Sequence, residues 1–273
     1  MGLWLPVEGN ARLLVPYLEL ENALDVPGVR VTTYDEFPGD VPPVLWMLGE
    51  SGAGRLAVDR LDAGLLDAAR AAVSQLDLTD HVRAERVVKH PEELALIREA
   101  ARFADLALER LLSSGADIIR QGGTELDLMA DCTGHARAAL TAVHGTAFQG
   151  TKSGITASVH SGPRAALPHG TVLARRPQAG EPIIAGIGCS LGGGIRHRIG
   201  HGMGVEGHEA PWLAPGDATL VAAGMVFSCE PGVYRPGFDG WRTIETLIVG
   251  AGRVETASRF QSLHPIDTRV LAI

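Results

Sequence analysis

An apolar stripe in helical spacing constrains the fold most, and it begins directly after His90-Pro91-Glu92-Glu93. Proline at the first helical position and carboxylates in the first turn predict a helix start at Pro91. A second helix is predicted from Thr124, a favourable N-cap residue. The apolar residues that form the two stripes are Leu94, Ile97, Ala101, Ala104, Leu108 and Leu111 in the first, and Leu126, Met129, Ala136 and Leu140 in the second. Such stripes must be buried against another layer of structure.

The pattern turns strand-like after Gly170. Four short stretches are apolar or alternate between apolar and polar residues, namely residues 171–173, 182–187, 225–228 and 243–249. Two helices followed by an antiparallel sheet predict an α+β domain.

The first 80 or so residues follow a different pattern, an alternation of strands and a helix. Two apolar runs, residues 3–6 and 12–16, surround Glu8-Gly9-Asn10 and predict a hairpin. Further strands are predicted at residues 29–33 and 55–58, and a helix at 61–74. This is a small α/β unit, so the chain is predicted to contain two domains, residues 1–82 and 83–273.

Composition excludes several classes of function. The 273 residues carry a formal net charge of -8 and no basic tract, which argues against nucleic-acid binding. No apolar run is long enough to span a bilayer, and the N-terminus lacks the features of a signal peptide. The three cysteines have no zinc-finger or CxxC spacing, so we predict a reduced, cytoplasmic protein with buried thiols.

Two glycine-rich motifs concentrate the ionisable side chains. The first is GHGMGVEGHEAPW at residues 200–212, and the second is SCEPGVY at residues 228–234. Imidazole and carboxylate groups suit proton transfer and metal ligation near neutral pH, and glycine allows close approach of a ligand. The alternative interpretation is a glycine-rich turn with surface histidines.

The order of the motifs adds a resemblance. SGPRAALPHG (161–170), the motif at 200–212, GMVF (224–227), EPG (230–232) and GWR (240–242) follow one another. This series resembles the pita-bread superfamily of Xaa-Pro aminopeptidases, prolidases, methionine aminopeptidases and creatinases, over about residues 82–249. The resemblance implies a pita-bread C-terminal domain. Residues 1–82 look like the second half of the N-terminal domain of creatinases and prolidases, so we expect a partial N-terminal domain.

In metal-dependent members of that superfamily, two Asp, one His and two Glu hold two metal ions. By resemblance, His201 and Glu230 match two of these ligands. Gly186 stands at the first Asp position and Ile244 at the last Glu position. Glu245 comes one residue late, and we expect it to point to the opposite face because side chains alternate along a strand. We therefore predict a degraded metal site that holds no metal, with Mn, Co or Zn only if a reduced site still binds.

The second Asp has no counterpart at all. Gly194 is followed directly by Ile195, where relatives have a strand and a helical segment. Either the protein has lost this segment or the chain lacks part of the natural sequence. The resemblance of residues 1–82 to half of a domain favours the second explanation.

The residues that remain form a set suited to acid–base catalysis. By motif position, the predicted catalytic residues are His169, His201, His208 and Glu230, and the predicted substrate-binding residues are Arg242 and His160. The fork of Arg242 suits a substrate carboxylate, with a structural ion pair as the alternative. His197 is a further candidate for a supporting role beside His160. The other histidines (His81, His90, His135, His144 and His264) are predicted to be surface or capping residues.

Together these patterns predict an Xaa-Pro peptidase-like protein that takes a peptide or small amide. Creatinase-like members hydrolyse C–N bonds without metal, so a metal-independent hydrolase and a peptide-binding homologue both remain open. The alternative is an active Xaa-Pro aminopeptidase or dipeptidase with a reduced metal site. The resemblance also implies a homodimer.

Overall fold

A computed structural model describes residues 1–35, 41–145, 147, 153–167, 169–191, 200–214 and 216–273. The chain divides into two compact units, Met1–Ala84 and Glu85–Ile273. The predicted break between Gly194 and Ile195, and His197, lie outside the described residues. Among the helices of the described residues, none offers an apolar stretch of the length that a membrane span requires.

The first unit alternates short strands and helices. Its elements are, in chain order, β1 (Gly2–Trp4), β2 (Ala11–Pro16), α1 (Leu20–Leu24), β3 (Val29–Tyr34), α2 (Pro43–Ser51), β4 (Arg55–Val58), α3 (Leu66–Ala72), β5 (Gln75–Leu78) and α4 (His81–Glu85). The predicted hairpin is confirmed, since β1 pairs antiparallel with β2, and β2 then pairs parallel with β3. The helix predicted over residues 61–74 is shorter than expected. Its first part is a 3-10 turn in which Asp62 accepts a hydrogen bond from the amide of Gly64.

The second unit places two long helices before a series of strands. Its elements are α5 (Pro91–Arg120), α6 (Glu125–His144), β6 (Gly154–Ser161), β7 (Ile183–Ser190), β8 (His201–Gly202), β9 (Glu209–Trp212), β10 (Val226–Cys229), β11 (Gly232–Arg235), β12 (Asp239–Arg242), β13 (Glu245–Val249), β14 (Val254–Thr256) and α7 (Phe260–Leu263). Strands β6 and β7 form one pair, β11 and β12 another, and a five-stranded sheet has the order β14-β13-β10-β8-β9. All these pairings are antiparallel, which confirms the predicted α+β class.

Both predicted helix starts are confirmed, because local capping chemistry determines them. Glu93 accepts a hydrogen bond from the amide of His90, one residue before α5. Thr124 and Asp127 exchange hydrogen bonds at the start of α6. Part of each predicted stripe is buried against β6 and β7, around a core that includes Phe103, Leu128 and Val159. The rest differs from the prediction. Ile97 of α5 packs with Val226 and Ile248 in a second cluster, and Leu126 of α6 is exposed, while Leu128 and Cys132 lie on the buried face of that helix. The interior also holds two thiols, Cys132 and Cys189, and burial raises their pKa values to about 11 and about 12.

One predicted strand, at residues 171–173, is wrong. These residues have no strand structure, because side chains take up their backbone groups instead. Arg164 donates to the carbonyl of Thr171, and Glu125 accepts a hydrogen bond of 3.4 Å from the amide of Leu173. The eight-residue strand β6 was missed, since its sequence GITASVHS alternates only weakly.

Candidate functional site

Three of the residues predicted from motifs meet at a cavity of about 180 Å³ in the second unit. His169, Glu230 and Arg242 line it together with Gly186 and Ile244, the residues at the two expected ligand positions. Strands β6 and β7 supply one wall, and the chain between β10 and β13 supplies the other. The antiparallel ladder of β6 and β7 sets Ser158 directly opposite Gly186.

An ion pair between Glu230 and Arg242 forms the charged part of the cavity. Arg242 Nη1 lies 3.6 Å from Glu230 Oε2, and the two side chains are only 5% and 1% exposed. The other carboxylate oxygen of Glu230 accepts a hydrogen bond of 2.7 Å from Ser228 Oγ. In so buried a place each charge depends on the other, because an uncompensated charge is costly to bury.

Gly186 makes room for this ion pair. A Cβ atom built at Gly186 would lie 2.7 Å from Arg242 Nη2 and 3.1 Å from Ser158 Oγ. The first distance is shorter than ordinary contact, so the guanidinium group lies where a side chain at position 186 would begin. Ile244 lines the same cavity with an apolar side chain.

His201 and His208 form a second group. Their ring centroids are 4.3 Å apart, and His201 is buried on β8 with Nδ1 2.7 Å from the carbonyl oxygen of Gly202. His208 is exposed. Within the described part of the chain neither ring lines the 180 Å³ cavity. The two groups are connected, because His201 pairs across the ladder with Ser228, whose hydroxyl donates to Glu230.

His160 is a fully buried residue of β6. Its Nε2 lies 2.9 Å from the carbonyl oxygen of Gly170, and since a carbonyl can only accept, Nε2 carries the proton. Burial lowers the pKa of His160 below its ordinary value, so the ring stays neutral near pH 7. The ring thus contacts Gly170, which lines the cavity, without lining the cavity itself.

Glu245 is not among the residues that line the 180 Å³ cavity, whereas its neighbour Ile244 is, which agrees with the predicted orientation. The carboxylate of Glu245 accepts a hydrogen bond from Ser258. Burial raises the pKa of Glu245.

Glu125 is a buried carboxylate that the sequence did not reveal as part of the site, and it binds residues on either side of His169 in the chain. It is completely buried and accepts hydrogen bonds of 2.8 Å from both the amide and the hydroxyl of Ser161, and one of 3.1 Å from Arg164 Nε. Glu125 also accepts a hydrogen bond from the amide of Leu173. It thus binds Ser161, which precedes His169 in the chain, and Leu173, which follows it. The sequence signal, an acidic residue in the first turn of a helix, suggested only a helix start.

A second missed group lies beside His208. Glu209 accepts hydrogen bonds from Arg86, from Lys89 at 3.2 Å and from the amide of Glu206 at 2.8 Å. Burial opposes the charge of Glu209, but these donors outweigh it and lower its pKa. Burial also lowers the pKa of Lys89. Arg86 and Lys89 lie 120 or more positions before Glu209 in the chain, so no local sequence pattern connects them with it.

The His, Cys, Asp or Glu side chains among the described residues that line the cavity are those of His169 and Glu230. Among all the described residues, no three His, Cys, Asp or Glu side chains gather in a way that could hold a metal ion. Gly186 and Ile244 have no donor atoms in their side chains, and Glu230 has a guanidinium group as its partner. A carboxylate neutralised by arginine is a poor partner for a divalent cation.

Comparison with known proteins agrees with this fold. The model of metallopeptidase family M24 matches residues 95–195 and 191–251, in two stretches that meet where the sequence predicts a missing segment. The "Probable dipeptidase PepE" of Mycobacterium tuberculosis is 27% identical over 317 positions, which cover 91% of this chain and 80% of that protein. An Xaa-Pro dipeptidase of Pyrococcus furiosus is 23% identical, over 94% of this chain and 88% of that protein.

The alignment with PepE is longer than the 273-residue chain, so that relative has residues without a counterpart here. Among solved structures, the prolidase of Pyrococcus horikoshii superposes with a TM-score of 0.71 at 20% identity, over 91% of this chain and 85% of that one. The crystal structure of PepE from Mycobacterium ulcerans gives 0.70 at 21% identity, over 94% and 83%. The fold is thus the pita-bread fold. With more than half of its length matched by the family model, the chain belongs to metallopeptidase family M24.

Proposed function

We propose that this M24 member binds a short peptide, and that it does so without a dinuclear metal centre. The observation that carries the proposal is the buried ion pair of Glu230 and Arg242 in the cavity beside Gly186. It supplies a fixed positive charge at the place where the ligand set for metal is incomplete. The relatives named above as dipeptidases make a dipeptide the first ligand to consider.

The size of the cavity limits what it can hold. Pockets for drug-sized ligands measure about 300–1,000 Å³, and this cavity measures about 180 Å³. It therefore suits one residue of a peptide, such as a C-terminal proline, with the rest of the ligand outside. Arg242 is the group for the ligand carboxylate because its planar fork matches two oxygens. His169, which is exposed at the cavity, is placed to contact the peptide next to that residue.

The test is calorimetric titration of Ala-Pro into the protein in the presence of EDTA. We expect binding that EDTA does not change, and a loss of at least about tenfold in affinity in Arg242→Met, as for loss of a charged hydrogen bond. The matched control is Arg98→Met, which removes an arginine that pairs with Glu255 at the surface. Equal affinity in both variants would refute the role of Arg242, and binding that requires added Mn²⁺ would refute the metal-free site.

A second function, metal-independent hydrolysis, is favoured by one observation. His208 is exposed and lies in ring contact with the buried His201, so it can exchange protons with solvent while its position is held. In this mechanism His208 takes a proton from the water that attacks the amide carbonyl and returns it to the leaving amine as the C–N bond breaks, and His169 orients the peptide or the attacking water.

Acid–base catalysis by such a group contributes about 10²–10⁴-fold, so His208→Ala should lower Ala-Pro turnover by that factor. His135→Ala, which changes an exposed histidine on α6, is the matched control and should keep full turnover. Turnover that EDTA abolishes would replace both proposals by the alternative of a metallopeptidase with a reduced site. Binding without turnover would leave the peptide-binding function alone.

A further inference from the structure

We propose that Gly186 is a positioning residue for Arg242. By having no side chain, Gly186 lets the guanidinium group lie in the cavity as a fixed cation in place of a metal ion. The geometric part of this inference stands by itself, and only its ligand-binding arm rests on the proposed function. It assigns to Gly186 a role in the present site beyond the loss of a ligand.

The first step is steric. Arg242 Nη2 would be 2.7 Å from a Cβ atom at position 186, which is closer than two such atoms approach in folded proteins. Alanine at 186 must therefore push the guanidinium group away. The atom that clashes, Arg242 Nη2, is at the end of a flexible side chain, so the backbone of the strand need not move. Alanine at position 186 therefore changes the position of the Arg242 side chain.

The second step is electrostatic. Arg242 is held in the cavity by the carboxylate of Glu230, whose side chain is 1% exposed and bonded to Ser228. A guanidinium group displaced by alanine would weaken the ion pair with this carboxylate, whose side chain is almost fully buried. Buried charges that lose a partner destabilise a protein far more than exposed ones do. Residue 186 is thus coupled to Glu230 through Arg242, although its own side chain would carry no charge.

The third step concerns the identity of the cation. The guanidinium group of Arg242 repels a divalent cation, and it already neutralises the buried carboxylate of Glu230 that such a cation would need. An aspartate at position 186 would occupy the space of the guanidinium group. Gly186 and Arg242 therefore act together: the glycine leaves the space that the guanidinium group occupies. In that position the guanidinium group of Arg242 recognises an anionic group, such as a peptide carboxylate.

A double-mutant cycle tests the coupling without any ligand. We expect Gly186→Ala to lower the melting temperature by more than about 4 °C, and to change it by less than about 1 °C in the Arg242→Met background. Arg242→Lys serves the same cycle if Arg242→Met does not fold, because lysine has no Nη2 atom to contact residue 186. The control is Gly188→Ala on the same strand, where a Cβ would lie 3.0 Å from Thr156 Oγ1 and not near Arg242. Its effect should be equal in both backgrounds.

Ligand and metal titrations separate the positioning role from a merely structural one. Gly186→Ala should weaken Ala-Pro binding at least about tenfold, and should cause no further loss once Arg242 is replaced. Addition of Mn²⁺ should leave the melting temperature of the wild type unchanged. Additive effects of Gly186→Ala and Arg242→Met on the melting temperature would overturn the proposal, as would a melting temperature that Mn²⁺ raises. If the wild type binds no dipeptide but the cycle shows coupling, the peptide function fails and the positioning role stands.

Discussion

The replacement of Glu125 by glutamine tests how the buried carboxylate supports the site. Glu125→Gln keeps the shape of the side chain and one acceptor oxygen but removes the charge. The carboxylate is completely buried and accepts four hydrogen bonds, from the amide and hydroxyl of Ser161, from Arg164 and from the amide of Leu173. In the variant, an NH₂ group faces donors that previously met an anion.

The expected loss of stability is about 2–4 kcal/mol. A hydrogen bond to a charged group contributes about 1.5–3 kcal/mol, and removal of one partner from a buried ion pair costs about 3–5 kcal/mol. Glutamine keeps one acceptor oxygen, so part of the hydrogen-bond contribution remains and the expected loss lies below the sum of the two figures. For a unit of this size, 1 kcal/mol corresponds to about 2–4 °C, so the melting temperature should fall by about 4–16 °C.

The dependence on pH gives a second signature. Burial alone would raise the pKa of Glu125, but the bonds from Ser161 and Arg164 outweigh it and lower the pKa below its ordinary value. The stabilisation is therefore present above the unfolded pKa of about 4.3 and is lost as the pH falls through the lower folded value. The difference between wild type and Glu125→Gln should shrink over that acidic range.

The assay is urea unfolding followed by circular dichroism at a helical wavelength, since α5 and α6 dominate that signal in the second unit. The control is Glu255→Gln, which changes an exposed carboxylate paired with Arg98 and should cost less than about 1 kcal/mol. A Glu125→Gln variant as stable as this control at pH 7 would refute the reasoning. So would a loss that stays constant down to pH 3.

Three further predictions concern titration and assembly. Burial lowers the pKa of Lys89 in the folded protein, so the free energy of unfolding should rise as the pH increases from that lowered pKa toward the unfolded pKa of about 10.4. Urea unfolding at pH 8 and pH 10 measures this rise, which should be absent in Lys89→Met. Burial lowers the pKa of His160 as well, so the midpoint of its NMR titration should lie below the ordinary value of about 6.5, and an ordinary midpoint would contradict the buried environment. The resemblance to prolidases predicts a homodimer by light scattering at micromolar concentration. Leu5, which is 63% exposed in the first unit, is the residue whose change to aspartate should weaken it, and a monomeric wild type would count against the prediction.

The sequence alone was sufficient where the determining interactions are local. The starts of α5 and α6 follow from proline, acidic residues and a threonine cap within a few positions of one another. The stripe predicted for α6 was wrong at Leu126, which is exposed, because the buried face of that helix includes Leu128 and Cys132 instead. The order of short motifs identified the family before any contact was known. The sequence also predicted that Ile244 and Glu245 point to different sides, and only Ile244 of the two lines the cavity.

Only the tertiary structure decided which residues that are distant in the chain come into contact. No sequence pattern connects Gly186 with Arg242, because their contact exists only once β7 and β12 are brought to the same cavity. The strand predicted at residues 171–173 failed for the same reason, since its backbone groups found the side chains of Glu125 and Arg164. A hydrogen-bonding group or a charge pairs with whichever group lies beside it in the folded protein. The sequence does not specify which groups from distant parts of the chain will lie that close together. The sequence therefore determined the family, whereas the tertiary contacts decided that the guanidinium group of Arg242 lies where a side chain at position 186 would begin.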